Sequence, residues 1–192
     1  MLKKLLLLSV VSVFAFANPK VFELNLNSDD VEVKFQNPVY VTTNQYAEES
    51  SYLMEAGYIN ADSESLFSLG FFMKSHVRSV PNLKVNMGLK LVYSGSIGND
   101  NDYFLALPIG LDFEYNINSD IGEFFIGSSI YYAPDPLSFE EADSYTEFRL
   151  QGGMEIVKNG DLLVGYRSIN TDLESTDVSF NKAIYIGFRM SI

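Results

Sequence analysis

The stretch "YFLALPIGLDFEYN", residues 103–116, decides the fold. Tyr103, Leu105, Leu107, Ile109, Leu111, Phe113 and Tyr115 occupy one set of alternate positions. Phe104, Ala106, Pro108, Gly110, Asp112, Glu114 and Asn116 occupy the other. A period of two sends successive side chains to opposite faces of a strand, so one face is wholly apolar and the other mixes glycine with charge. The pattern recurs near 51–60, 65–74, 84–94, 124–133, 145–157, 161–170 and 182–192. An earlier pair near 20–27 and 31–41 carries Phe22, Leu24 and Leu26, then Val31, Val33 and Phe35. Many strands of this length with turn signals between them predict an all-β protein, a sandwich or a barrel.

Alternation alone does not say which face is inside. The mixed face does, because Gly57, Gly70, Gly88, Gly110, Gly127, Gly153, Gly165 and Gly187 all lie on it, one in each of the last eight strands. Glycine in mid-strand weakens a sheet whose mixed face meets water. In a narrow membrane barrel the same face lines the interior, where glycine relieves crowding. Its neighbours there are Glu55, Lys74, Lys84, Lys90, Asp112, Glu114, Glu147, Arg149, Glu155, Arg167 and Arg189, of both signs, and enclosed charges need partners. The opposite face bears Leu, Ile, Phe, Met and Val. Tyr52, Tyr58, Tyr93, Tyr103, Tyr115, Tyr132 and Tyr166 stand near strand ends, at the height of a membrane barrel's aromatic girdles. The fold expected is an antiparallel transmembrane β-barrel of 8–10 strands. Ten are favoured, because the 20–41 hairpin has an apolar face that only the barrel wall can cover.

The first residues follow a different logic. Lys3 and Lys4 precede an apolar run over 5–14, and "AFA" precedes Asn18. This is the pattern of a secretory signal peptide cut between Ala17 and Asn18, and the run falls short of the roughly 20 residues a membrane-spanning helix needs. A single barrel domain over 18–192 is expected to remain. Taking Lys3 and Lys4 from the 13 basic residues leaves 11 against 25 acidic ones, a formal charge of −14. Such a balance argues against nucleic acid as a partner. The chain has no cysteine, which excludes a lipid-modified N-terminal cysteine, disulfides and thiol chemistry.

The connections alternate in character. "INADSES", "SGSIGNDND", "APDPLSFEEADS" and "NTDLESTDVSFN" are acidic and mostly long, whereas "KSHVRSVPN", "NINSDIGE" and "VKNGD" are less acidic. Outer-membrane barrels have long outer loops and short periplasmic turns. The order therefore places the acids outside and both termini in the periplasm. The closing "NKAIYIGFRMSI" alternates to its last residue, as a strand can when closure pairs it with the first and lipid covers its apolar face.

The segment "YYAPDPLSFEEADSY", followed by "TEFRLQGGMEI" and "LLVGYRSINTDL", resembles the YfaZ family of bacterial outer-membrane proteins. The early "LNLNSDDVEVKF" and the closing "YIGFRMSI" do so too. The likeness covers essentially the whole chain after the signal, and Tyr131 to Asp172 is its most specific part. It implies an outer-membrane β-barrel of a Gram-negative bacterium, and it implies no activity. Ile192 departs from the phenylalanine with which membrane barrels commonly end.

Catalytic chemistry has little to work with. His76, in "MKSHVRS", is the chain's one histidine. Ser75 and Ser79 flank it, but a nucleophile needs a base that a third group holds in place. Gly-x-Ser-x-Gly, His-Glu-x-x-His and P-loop patterns are missing. No catalytic, cofactor or metal site is expected. "GNDND" and "FEEAD" offer oxygens to a divalent cation but lack EF-hand spacing. Asp112 and Glu114 are expected to pair with Lys84, Lys90, Arg149 or Arg167 in a lumenal network.

Three functions fit. The first is a structural or interaction barrel whose lumen is filled by side chains, among them the bulky inward Phe72, Phe104, Phe125 and Tyr185. The second is a narrow channel for ions or small solutes. The third is a soluble periplasmic barrel carrying a lipid-like ligand. The expected partners are outer-membrane lipid, lipopolysaccharide and the barrel-assembly machinery.

Overall fold

The computed structural model describes residues 20–43, 49–61, 64–97, 102–140, 142–173 and 177–192. The signal segment with Ala17 and Asn18, and the Gly98–Asn101 part of "GNDND", lie outside them. Twelve strands form one sheet: β1 (Val21–Leu26), β2 (Asp30–Thr43), β3 (Glu49–Ala61), β4 (Glu64–His76), β5 (Leu83–Ile97), β6 (Asp102–Ala106), β7 (Ile109–Ser119), β8 (Gly122–Ala133), β9 (Ser138–Glu140), β10 (Ala142–Val157), β11 (Gly160–Leu173) and β12 (Asp177–Ser191). Successive wall strands pair antiparallel, and β1 pairs with β12 from Val21↔Ser191 to Leu26↔Ile186. The sheet is therefore closed. With β6 and β7 counted as one wall strand and β9 as an appendage, it is a ten-stranded antiparallel barrel. The 20–41 hairpin belongs to the wall, pairing β1 with β2 from Val21↔Gln36 to Leu26↔Val31.

Closure brings the chain ends together. Ile192 N–H donates to the Lys20 carbonyl at 2.7 Å, and Lys20 N–H donates to that of Ile192 at 3.0 Å. The same rim carries the turns at 77–82, 120–121 and 158–159. In the last of these Asn159 takes φ 63, and its N–H donates to the Glu155 carboxylate at 2.8 Å.

The strand expected over 103–116 is broken. Pro108 has no N–H to give a ladder. Its carbonyl accepts from Lys90 N–H at 2.9 Å, while Leu107 N–H donates to Leu137 at 2.8 Å. Leu137 closes a single 3-10 turn, Asp135–Leu137, after which β9 pairs with β6. Residues 109–119 return to the wall against β8. The acidic connections are also shorter than their composition suggests. Much of "NTDLESTDVSFN" is strand, with Thr171↔Val178 and Asp172↔Asp177 paired. Alternation is lost there before strand pairing is.

The outward face is apolar and uncovered. Ile184 is 71% exposed, Ile186 63% and Val164 56%, and Met87, Leu89, Ile109, Ile126 and Ile130 are exposed with them. Tyr58, Tyr93, Tyr103, Tyr115, Tyr132 and Tyr166 point outward too, and Tyr52 stacks on Phe71 with ring centroids 6.0 Å apart. Soluble monomers rarely show so wide an apolar surface.

Candidate functional site in the barrel lumen

The lumen's side chains fall into layers that the register orders from the terminal rim to the far rim. Nearest the terminal rim is a vestibule of about 340 Å³, lined by residues that include Lys74, Lys84, Glu114, Asp161 and Arg189. Glu114 accepts from Lys84 at 3.0 Å and from Arg189 at 2.8 Å. Arg189 also donates to Asp161 at 2.9 Å and stacks over Phe125 at 4.1 Å.

Above this sit the glycines, and the reason for them is specific. A Cβ at Gly70 or Gly88 would enter the space of the Phe72 ring. One at Gly110 would meet Tyr131, one at Gly153 Phe125, and one at Gly165 Tyr185. Each glycine is a seat for a flat aromatic ring on its own or a neighbouring strand, a pairing known to rescue glycine in sheets. Phe72 and Tyr131 then meet edge to face, with centroids 6.1 Å apart at 78°. Room for charged neighbours, expected from the sequence, is thus only part of the role.

The next layer is ionic and almost free of solvent. Glu32, 2% exposed, accepts from Arg149 through both carboxylate oxygens at 2.7 and 2.8 Å. It also accepts from Arg167 at 2.6 Å and from Asn25 at 2.8 Å. Arg149 donates to Glu147 at 2.7 Å, and Glu147 accepts from Lys90 at 3.0 Å. Arg167, wholly buried, donates to Asp30 at 2.6 Å and to Asn181 at 3.0 Å. Glu23 pairs with Lys34 and accepts from Asn25 at 2.9 Å. Charges removed from water are tolerable only when so fully paired. Here four cations face four anions, and Arg–carboxylate forks fix the geometry.

The far half of the lumen is apolar. Ile59, Leu66, Val92, Phe104, Tyr145 and Ile169 are buried together, with Leu137 packed against them. Tyr145 joins this layer to the ionic one by donating to Glu147 at 3.0 Å.

The charged residues expected to share the lumen therefore divide. Glu147, Arg149, Arg167 and Lys90 meet in the ionic layer, and Lys84, Glu114 and Arg189 meet in the vestibule. Arg149 and Arg167 do not pair with Asp112 or Glu114, as the sequence reading allowed; their carboxylates are Glu32 and Asp30. Asp112 takes only a long hydrogen bond from Asn86, 3.4 Å. Glu55 accepts from Gln36 at 2.7 Å, and Glu155 is turned to the Asn159 turn. Sequence reasoning missed Asp30, Glu32 and Lys34. Their signal is in "DVEVKFQ", where they alternate with Val31, Val33 and Phe35. His76 ends β4, exposed at the terminal rim and opposite Lys84. Among the described residues no group of three metal-ligating side chains converges.

A family model described as "YfaZ precursor" matches residues 2–192. The chain belongs to the YfaZ family. Two solved structures resemble this YfaZ protein. One, "Bacterial polysaccharide outer membrane secretin", has TM-score 0.44 and 11% identity, covering 90% of this chain and 69% of that one. The other, "NanC porin structure in rhombohedral crystal form", has TM-score 0.39 and 12% identity, covering 91% and 98%. No curated protein matches the chain.

Proposed function

We propose that this YfaZ protein is an integral outer-membrane barrel with an occluded lumen, a structural or interaction element with neither pore nor enzymatic activity. The observation that carries the reading is the inversion of polarity. Side chains such as Ile184 and Ile186 are bare on the outside, while Glu32, Glu147, Arg149 and Arg167 are buried inside. Lipid is the solvent that stabilises the first set, and only internal pairing stabilises the second. The occlusion rests on the stacked ionic and apolar layers above the vestibule. Folded protein, shown by a heat-dependent gel shift, is expected to be silent in planar bilayers. Stepwise conductance would instead support the narrow channel.

A soluble carrier of lipid-like ligands fits less well, because the vestibule is lined mainly by charged and polar groups. Folded protein that stays soluble without detergent would restore that reading. The orientation we infer has the termini in the periplasm, the acidic rim outside and lipopolysaccharide as neighbour, with insertion by the barrel-assembly machinery. The chain has no cysteine, so single cysteines are clean probes. On intact cells an impermeant maleimide is expected to label Ser28→Cys and to leave Ile121→Cys untouched. The reverse pattern refutes the orientation.

A further inference from the structure

We infer that the vestibule binds a small zwitterion of the amino-acid or short-peptide class, with Lys74 taking its carboxylate and Asp112 its ammonium group. One wall of the cavity has groups the fold leaves short of partners, the long hydrogen bond from Asn86 to Asp112, 3.4 Å, being the one made among them. Lys74, Asn86, Asp112 and Ser129 are directly opposite one another on β4, β5, β7 and β8, and all four line the cavity. No carboxylate among the described residues forms an ion pair with Lys74, and Asp112 pairs with no cation there. The Asn86 Oδ1 is buried with no hydrogen-bond partner. The hydroxyl of Tyr131, a residue 1% exposed, lies near Asp112 without completing a hydrogen bond.

The rest of the cavity makes the contrast. Glu23 with Lys34, Gln36 with Glu55, and Lys84, Glu114, Arg189 and Asp161 together are satisfied within the protein. Buried polar groups are almost always partnered, so a row of unmet groups on one wall asks for a ligand that supplies what is lacking. The row sets out a cation, then an acceptor, then an anion. Neighbouring strands are about 4.8 Å apart, so Lys74 and Asp112 spring from backbones roughly 10 Å apart. Side chains converging from that span match the separated charges of a free amino acid or a short peptide. A cavity of about 340 Å³ is at the small end of ligand sites, which limits the guest to a few residues.

Three probes separate the two charges: glycylglycine, N-acetylglycylglycine with the anion alone, and glycylglycine amide with the cation alone. Titration calorimetry on the detergent-folded barrel is expected to show glycylglycine bound at least tenfold more tightly than either capped form. Lys74→Met should reduce glycylglycine to the level of its amide, and Asp112→Asn should reduce it to the level of the acetylated form. Equal binding of all three probes, or none, overturns the inference. So does a folded Lys74→Met protein that still discriminates against the amide. The probe series on the unaltered protein decides the matter even if a variant fails to fold. Bilayer conductance is not involved, so failure here leaves the occluded-barrel reading standing.

Discussion

Replacing Glu32 by glutamine tests the ionic layer most directly. The swap keeps shape and removes one charge from a site 2% exposed to solvent. Four donors now converge on the carboxylate, two from Arg149 and one each from Arg167 and Asn25. An amide offers one acceptor oxygen and turns its own N–H groups toward guanidinium donors. Removing one partner of a buried pair costs about 3–5 kcal/mol. Arg149 keeps Glu147 and Arg167 keeps Asp30, so neither guanidinium is stranded and the lower figure, about 3 kcal/mol, applies. The assay is urea unfolding in lipid vesicles, followed by far-ultraviolet circular dichroism or by the fluorescence of the 12 tyrosines, the chain having no tryptophan. Adding Arg149→Met to Glu32→Gln should recover part of the loss, with a coupling of about 1.5 kcal/mol. Glu155→Gln, beside the exposed Asn159 turn, should cost less than about 1 kcal/mol. A Glu32→Gln loss below about 1 kcal/mol at unchanged m-value would refute the claim that this carboxylate organises the lumen.

The glycine seats predict an asymmetry between two positions. Gly110→Val would drive side-chain atoms into the Ile130 carbonyl and the Tyr131 ring, whereas a Cβ at Gly152 meets only the Phe125 carbonyl oxygen at 3.5 Å. Gly110→Val should cost at least about 1–3 kcal/mol or abolish the heat-dependent gel shift, and Gly152→Ala should stay within about 0.5 kcal/mol. Ile186→Arg places a charge on the outward face, where the side chain is 63% exposed. In vesicles this should destabilise by about 2–4 kcal/mol, and near-neutrality would argue against a membrane around this face. Tyr131→Phe removes a buried hydroxyl that lacks a hydrogen bond, so stability should hold or rise by up to about 1 kcal/mol in the same titration.

The faces of the barrel were legible because a period of two is local: each strand states which of its residues turn inward. Gly57 to Gly187 share one set of alternate positions for that reason, and of the charged residues beside them Glu55, Lys84, Lys90, Asp112, Glu114, Arg149 and Arg189 line the cavity, whereas Glu155 is turned to the Asn159 turn. The ten-strand closure was also legible, since the 20–41 hairpin had an apolar face and no other cover. Partner identity was not. Arg149 meets Glu32 across 117 positions, and Arg167 meets Asp30 across 137. Those contacts depend on the stagger that accumulates around a closed sheet, which no single segment encodes. The break at Leu107 and Pro108 needed only one local fact, that proline has no N–H to donate. Alternation runs through that site undisturbed and concealed it. The seating of Phe72, Tyr131, Phe125 and Tyr185 over Gly88, Gly110, Gly153 and Gly165 depends on which residues stand directly opposite on adjacent strands, which again requires the register.

The layering also bears on whether the lumen can open. A path from vestibule to far rim must pass Glu32 with its two guanidinium partners, then the packed ring of Val92, Phe104 and Tyr145. Tyr145 donates a hydrogen bond to Glu147, so the two obstacles are in direct contact. The rings over the glycines already occupy the space a Cβ would need, which limits how far they can withdraw toward the wall. The proposed occlusion would thus be a property of the packed interior as a whole, and a vestibule ending against it would hold a small guest at one rim without passing it through.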